Sequence, residues 1–409
     1  MRAGAIIMIS ALILALAGYV GWHLWRITPQ GWKWVSLGVF VLWMASLFVG
    51  YAINDRIPMG AASVLYEVGN TWLITFLYLL LIFIVADMAA LCHILPKSFL
   101  KDSIDGLGTV VGLVAVILTL GGIHYHHKYR EEQSITTTKQ LEKPLTIVLA
   151  SDLHIGYHNR KPELSRWVDM INAEKPDLVL FGGDVIDLSL RPVMEGNFAE
   201  EFHRVEAPMM AVLGNHEFYS DVERAEQFFK DAGILLLRDS VVHFKGVDVI
   251  GRNDRTSPER ADLADLTNGL DGFTIVLDHQ PYHLEEAEAT GIDFQFSGHT
   301  HRGQVWPLSW ITDAMYEKAW GPHQRGNTRY YVSSGLGIWG AKIRVGTRSE
   351  YLVLHITVID KKAQVGPHCT QCLACVHFCP QQAMEIRHKP TKKEIQYHHP
   401  EVKVKNLIR

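Results

Sequence analysis

The sequence lacks an excess of either charge, and this absence excludes one large class of partner. Its 409 residues include 39 lysines and arginines against 43 aspartates and glutamates, for a net charge of −4. No global field therefore favours nucleic acid or another charged polymer, and we expect no nucleic-acid partner. Cysteine is also scarce: the chain has five, four of them close together near its end. This clustering excludes a disulfide framework of the secreted kind and indicates a metal or cluster site.

Charged residues are sparse in the first third of the chain, which is strongly apolar. Four apolar segments there are long enough to cross a bilayer, which takes roughly 17–25 residues. The predicted spans are residues 3–25, 34–53, 71–95 and 107–123. We therefore predict a four-helix transmembrane region over residues 1–127, followed by a linker over residues 128–143. The first segment could instead be a signal peptide, but its apolar run continues to Trp25 and further spans follow it.

Four spans place both termini on one side of the membrane. Basic residues are level between the two sides, so the positive-inside rule does not decide the orientation. The one charge inside a span is Asp87, which we expect near an interface or hydrogen-bonded to another helix. This single charge and the lack of an internal repeat argue against a transporter.

Five short polar clusters lie in the second third of the chain, and most directly follow an apolar run that predicts a buried strand. The runs are Leu145–Ala150, Leu178–Phe181, Met210–Leu213, Ile275–Leu277 and Phe294–Phe296. The clusters are Asp152-Leu153-His154, Gly183-Asp184, Gly214-Asn215-His216-Glu217, His279 and Gly298-His299-Thr300-His301. Side chains at the carboxyl ends of several strands converge on one crevice of an α/β sheet. Their oxygen and imidazole donors suffice for two metal ions that share a carboxylate, as metal-assisted phosphoester hydrolysis requires.

In this order, the five clusters resemble those of the calcineurin-like metallophosphoesterase superfamily, most closely the branch whose catalytic domain follows membrane segments. The resemblance covers about residues 144–358 and includes Ser333-Ser334-Gly335-Leu336-Gly337 and Ile343-Arg344-Val345-Gly346. It implies an α/β metallophosphoesterase domain of two mixed β-sheets sandwiched by helices. It also implies a hydrolase that acts on phosphoester bonds.

The resemblance further implies a role for each polar residue. One metal would be held by Asp152, His154, Asp184 and His301, and the other by Asp184, Asn215, His279 and His299. Asp184 would bridge the ions, a hydroxide between them would attack phosphorus, and His216 would protonate the leaving oxygen. Nitrogen and oxygen donors without thiolate suit Mn, Fe, Zn or Co.

Each of these residues has an ordinary structural interpretation when it is taken alone. A single histidine could be a satisfied core residue, and the aspartates could cap helices. Gly183, Gly214 and Gly298 could be turn glycines. Two acidic neighbours, Asp187 and Glu217, could equally orient the ligands or cap the following helices. The joint occurrence of the clusters, in order, favours the metal site.

Three tryptophans closely follow the last predicted ligands. Trp306, Trp310 and Trp320 lie among further apolar residues, so this stretch could form a lid or a membrane-facing rim beside the site. The alternative is an insertion that packs onto the core of its own domain. A membrane-facing rim would favour a lipid phosphoester as substrate; a nucleotide-sugar or another phosphoester stays open.

The end of the chain changes character over residues 359–409. The run is Cys369-x2-Cys372-x2-Cys375-x3-Cys379-Pro380, which resembles one half of a bacterial ferredoxin and implies a 4Fe–4S cluster. No second cysteine run exists, so zinc or an empty site are the alternatives. A cluster is assembled in a reducing compartment, and the N-terminus has no twin-arginine signal. We therefore predict an inner-membrane, multi-pass protein with its catalytic domain on the cytoplasmic face.

These patterns predict a membrane-anchored phosphoesterase with two divalent metal ions and a small ferredoxin-like tail. The expected partners are a phosphoester substrate, the bilayer, and a redox partner that would bind through the cysteines. The alternative is a membrane electron-transfer or signalling protein whose phosphoesterase domain only binds a ligand. That alternative depends on Cys369–Cys379 alone, with no haem, flavin or quinone signature beside it.

Overall fold

The computed structural model describes residues 3–358. One compact unit joins the chain up to Ile135 with Lys139–Thr357, so the apolar helices and the sheets that follow pack together. The predicted cluster ligands Cys369, Cys372, Cys375 and Cys379 lie outside the described residues, and their assignment stays a prediction.

Four long helices form the N-terminal region: α1 (Ala3–Ile27), α2 (Lys33–Ile53), α3 (Met59–Leu91) and α4 (Ile104–His126). Three helical stretches are long and apolar enough to cross a membrane, namely Gln30–Arg56, Met59–Leu91 and Ile104–His126. They confirm the apolar character of three predicted spans, whereas a membrane crossing by α1 stays a prediction. α3 begins well before the predicted residue 71, because its first turns carry polar side chains that contact the sheet region.

Asp87 on α3 is hydrogen-bonded to another helix, which was one of the two environments predicted for it. The hydroxyl of Tyr19 donates to Oδ2 of Asp87 at 2.8 Å, and Nε2 of His23 lies 2.9 Å from the same oxygen. Both partners are on α1. Two hydrogen bonds satisfy the carboxylate, so its place in an apolar helix needs no transport pathway.

Two mixed six-stranded sheets follow, as predicted. The first has the order β1-β12-β2-β3-β4-β5, and the second has the order β10-β11-β9-β8-β7-β6. Their bounds are β1 Lys128–Thr137, β2 Leu145–Ala150, β3 Leu178–Phe181, β4 Met209–Ala211, β5 Ile234–Leu236, β6 Ser240–Phe244, β7 Val247–Gly251, β8 Phe273–Leu277, β9 Phe294–Ser297, β10 Gly321–Arg325, β11 Thr328–Val332 and β12 Ser349–Val358. Strands β2 to β5 are parallel, as are β7, β8, β9 and β11.

Apolar side chains that alternate between the two faces of the strands form the hydrophobic core. On β2, Ile147 and Leu149 face the second sheet and pack against residues such as Phe294, whereas Val148 and Ala150 face the helical side. Both faces are therefore apolar, as a strand covered on both sides requires. The result is two sheets packed face to face with helices on their outer faces.

Eight shorter helices complete this region. They are α5 Lys161–Ala173, α6 Arg191–Glu195, α7 Ala199–Phe202, α8 Asn215–Ser220, α9 Val222–Asp231, α10 Leu263–Thr267, α11 Leu284–Ala289 and α12 Leu308–Met315.

The predicted linker, residues 128–143, differs from the structure because it contains β1. As an edge strand, β1 keeps charged side chains such as Glu132 outward, so it lacks the apolar run of a central strand.

Candidate metal centre

The loops at the carboxyl ends of β2, β3, β8 and β9, together with the start of α8, bring most of the predicted site residues together. Three groups of side chains have potential ligand atoms within 4.8 Å of one another. The groups are Asp152/His154/His301, His154/Asp184/His216 and Asp184/His279/His299. Because the groups share His154 and Asp184, they form one continuous cluster. Asn215 at the start of α8 is buried, and its Oδ1 has no hydrogen-bond partner among the described residues.

Asp184 lies at the centre of this cluster. Its Oδ1 accepts the backbone N–H of His216 at 2.9 Å. Its Oδ2 lies 3.1 Å from Nε2 of His279 and 3.7 Å from Nε2 of His154. One carboxylate oxygen therefore faces histidines of two different groups, which is the position a bridging ligand needs.

Nitrogen and oxygen atoms of several side chains converge on the same space. Nδ1 of His279 lies 2.8 Å from the carbonyl oxygen of Gly182, which can only accept, so Nδ1 donates and Nε2 is the ring nitrogen left for the cluster. That Nε2 faces the carboxylate of Asp184 and has no hydrogen-bond partner among the described residues. Nε2 of His154 similarly lies 3.0 Å from Nε2 of His301. Such pairs repel unless a cation or a proton lies between them, so the donor set fits divalent metal ions.

The backbone holds five of the seven predicted ligands in the left-handed region. Their φ angles lie between 45° and 70°, for Asp152, His154, Asp184, His299 and His301. Residues with side chains rarely adopt this conformation, and each instance costs on the order of 1–3 kcal/mol. Strain of this kind persists where the surrounding structure fixes it, and it concentrates at functional sites. Nothing in the sequence pattern signalled it.

The three glycines that precede ligands allow close approach. A Cβ on Gly214 would lie 2.1 Å from Oδ1 of Asp184, and one on Gly298 would lie 1.9 Å from Oγ of Ser151. Gly183 also has a φ of +92°, and a Cβ there would lie 2.6 Å from Nδ1 of His279. At Gly214 and Gly298 the requirement is therefore space rather than an unusual turn.

Asp187 orients imidazoles of the cluster, one of the two roles considered for it. Its Oδ1 lies 3.1 Å from Nδ1 of His216 and 3.5 Å from Nδ1 of His154. Its Oδ2 accepts a hydrogen bond of 2.7 Å from the hydroxyl of Tyr66, which is on α3. All of these side chains except His216 are buried. Asp187 thus holds the His216 ring by a hydrogen bond and lies beside Nδ1 of His154, so the Nε2 atoms of both rings remain for a metal or a substrate.

Glu217 fills both roles that the sequence left open for it. One carboxylate oxygen accepts the N–H of Gly214 at 2.7 Å, which closes the start of α8. The other accepts the N–H of Ile186 at 2.8 Å. The side chain therefore ties the loop after β3 to the start of α8, and with it Asp184 to Asn215.

Two positioning residues were missed by sequence reasoning. Arg344 is fully buried and donates to the carbonyl oxygens of His301 at 2.8 Å and of Ser334 and Gly337. It thereby fixes the backbone of one predicted ligand. Tyr66 lies on a helix that hydropathy assigns to the membrane, and its contact with Asp187 spans 121 residues of sequence. No local pattern could have revealed that contact.

The buried charges influence one another strongly. Burial would raise the pKa of Asp184, but His279 and His216 outweigh it and hold that pKa well below 3.8. Burial raises the pKa of Asp152, although His279 opposes the rise. For His299, burial and the charge on His279 lower the pKa to about 4. Negative charge therefore concentrates on Asp184, the carboxylate between the groups, and His299 stays neutral as a metal ligand must.

Comparison with known proteins agrees with this geometry. Residues 145–303 match the family model described as calcineurin-like phosphoesterase. An uncharacterized metallophosphoesterase of Helicobacter pylori strain J99 is 32% identical over 227 residues, which are 53% of this chain and 61% of that protein. A transmembrane protein with metallophosphoesterase domain from Danio rerio is 30% identical over 229 residues, 50% of this chain and 52% of that protein. The chain thus spans between one half and two thirds of the length of these relatives.

Among solved structures, one described as a novel archaeal phosphodiesterase matches with a TM-score of 0.30 and 16% identity. The match covers 47% of this chain and 85% of that chain. A TM-score this low supports no further conclusion.

Proposed function

We propose that the chain is a membrane-anchored phosphoesterase with a dinuclear metal centre, since residues 145–303 match the family model of the calcineurin-like phosphoesterases. The observation that carries the proposal is the convergence of imidazole Nε2 atoms and carboxylate oxygens around Asp184. In this proposal one ion is held by Asp152, His154, Asp184 and His301, and the other by Asp184, Asn215, His279 and His299. When bound, two divalent cations of the Mn, Fe, Zn or Co class would activate water as a nucleophile and neutralise the phosphate.

His216 is proposed as the catalytic acid. Burial would lower its pKa, but the carboxylates of Asp184 and Asp187 outweigh burial and raise the pKa to about 9. The ring is therefore protonated at neutral pH. Its Nδ1 faces Asp187, so Nε2 is the atom left to donate a proton to the leaving oxygen.

The test uses the purified full-length chain, stripped of metal and reloaded with Mn²⁺, and bis(p-nitrophenyl) phosphate as substrate. We expect hydrolysis by the native chain and none by Asp184→Ala, with bound metal falling from about two ions per chain to one or none. The matched control is Asp248→Ala, a buried aspartate on β7 that pairs with His243 at 2.9 Å, and it should keep its activity. Full activity in Asp184→Ala would refute the site.

The location and the tail complete the proposal. We place the catalytic domain on the cytoplasmic face of the inner membrane, with a 4Fe–4S cluster on Cys369, Cys372, Cys375 and Cys379. Anaerobically purified protein should then be brown, with broad visible absorption; a colourless, zinc-loaded sample would reject the cluster. The electron-transfer alternative depends on these cysteines alone and gains no support from residues 3–358.

A further inference from the structure

Helix α12 presents a large apolar surface that no described residue covers. Trp310, Ile311 and Met315 are between 56% and 65% exposed, and Trp306 just before the helix is 41% exposed. The sequence alternatives for this stretch were packing onto the core or a rim beside the site. The exposure favours the rim, because core packing would have buried these side chains.

The segment that leads into α12 is attached to the membrane helices. The hydroxyl of Tyr78 on α3 donates to the carbonyl oxygen of Trp306 at 2.7 Å. Val305 is fully buried in an apolar cluster with Ile74 and Tyr78 of α3 and with Ile343. The start of α12 is therefore fixed against the bundle rather than free in solution.

The depth of this attachment follows from helix geometry. The charged residues of α3 are Glu67 and Asp87, and the uncharged residues 68–86 between them span about 29 Å. That length matches a hydrocarbon core of about 30 Å. Tyr78 lies eleven residues beyond Glu67, about 16 Å along the helix. Helical side chains point back toward the N-terminus, so its hydroxyl meets Trp306 nearer the Glu67 end but still on the hydrocarbon side of Glu67.

We propose that α12 is an interfacial membrane helix, inserted into the bilayer leaflet next to α3. Its short apolar face with Trp310, together with Trp306 just before the helix, suits the boundary between headgroups and acyl chains. The cluster that holds Val305 also includes Ile117 of α4, and Val116 and Leu120 on that helix are as exposed as Ile311. Lipid therefore covers the patch, and a second copy of the chain is not required.

This position brings the metal centre to the membrane surface. His301 precedes α12, and Tyr316, the residue after the helix, has its ring 6.5 Å from that of His299. The chain just before α12 thus contains one residue of the cluster, and the residue just after α12 contacts another. On the basis of the proposed function, we infer that the substrate is a phosphoester of a bilayer lipid. Its headgroup would reach the metal site while its acyl chains stay in the leaflet.

Insertion can be tested without any activity. Benzoylphenylalanine is placed at Ile311 in the full chain, reconstituted into phosphatidylcholine vesicles that contain an alkyne-tagged lipid, and irradiated. Val116 on α4 is the positive control and Leu235 on β5 the negative one; the three positions are 56%, 55% and 50% exposed. We expect lipid adducts at position 311 at the level of position 116. Adducts at the level of position 235, or a crosslinked dimer, would overturn the proposal.

The substrate class needs a matched pair of esters with Mn²⁺ present. One is hexadecyl p-nitrophenyl phosphate in vesicles, and the other is methyl p-nitrophenyl phosphate in solution. We expect Ile311→Asp to lower kcat/KM on the hexadecyl ester about tenfold and to leave the methyl ester within about twofold. Equal effects on both esters, or no preference of the native chain for the hexadecyl ester, would overturn the lipid class. Failure of the native chain on both esters would instead refute the proposed function, while the crosslinking result would still decide insertion.

Discussion

Tyr66 connects a membrane helix to the proposed catalytic histidine through a single carboxylate. Its hydroxyl donates to Oδ2 of Asp187 at 2.7 Å, and Oδ1 of Asp187 lies 3.1 Å from Nδ1 of His216. Tyr66 and Asp187 are each 3% exposed, so the bond between them is buried. Tyr66→Phe keeps the ring, which stacks on His158 at 5.1 Å, and removes only the hydroxyl. The substitution therefore isolates one hydrogen bond.

The expected fall in kcat follows from the strength of the hydrogen bond between Tyr66 and Asp187. A hydrogen bond to a charged group contributes about 1.5–3 kcal/mol. After the substitution, Nδ1 of His158 lies 3.7 Å from Oδ2 of Asp187, which is too far to compensate. If at least half of this free energy is lost from transition-state stabilisation because His216 is misoriented, kcat falls about three- to hundredfold. Because Tyr66 does not reach the substrate, KM should change little.

The assay compares kcat and KM on bis(p-nitrophenyl) phosphate with Mn²⁺. Tyr330→Phe is the matched control, since Tyr330 is 1% exposed and its hydroxyl donates to the carbonyl oxygen of Leu284 at 2.7 Å, in the second sheet. Both variants lose one buried bond of the same length, so a general loss of stability would affect them alike. A Tyr66→Phe variant with the kcat of Tyr330→Phe would refute the positioning role.

Two further predictions concern the metal centre. Gly214→Ala should reduce kcat by about a hundredfold or more and lower the bound metal, because the new Cβ would lie 2.1 Å from Oδ1 of Asp184; an active variant with full metal content would contradict the close packing described for this loop. Mn²⁺ at about a hundred times its dissociation constant should stabilise the native chain by about 2.7 kcal/mol per site, seen as a higher midpoint in a thermal-unfolding scan. The same addition should leave Asp184→Ala nearly unchanged, and an equal shift in both proteins would show that the ions bind elsewhere.

The sequence predicts central strands well and edge strands poorly. β2 and β3 have the predicted bounds, Leu145–Ala150 and Leu178–Phe181, because both are continuous apolar runs buried on two faces. β1 was predicted as linker, since an edge strand that carries Lys128 and Glu132 has no apolar run. β4 is shorter than the run Met210–Leu213, because its last residues leave the ladder to form the loop that carries Asn215.

The residue types of the site could be predicted from the sequence, but the backbone conformations and contacts that position them could not. The side chains that cluster around Asp184 stand in motifs that a resemblance can identify, and the structure brings them together. The left-handed backbone conformation of Asp152 and the hydrogen bonds of the buried Arg344 guanidinium depend on tertiary contacts, which the local sequence does not encode. Tyr66 is the extreme case, because it lies just before the predicted span 71–95 and its partner Asp187 is 121 residues away in the sequence.

The contacts between the membrane helices and the sheet region determine what the anchor can do. A flexible tether would let the catalytic domain face any direction, but two helices are joined to it by buried polar bonds: Tyr66 to Asp187, and Tyr125 on α4 to Asn159 at 2.6 Å. Breaking either bond would leave a buried polar atom unpaired, which costs about 1–3 kcal/mol. The domain is therefore held in one orientation on the bundle. In the proposed insertion this orientation places α12 on the lipid side, so the same contacts that position the proposed catalytic histidine would also present the proposed metal centre to the bilayer.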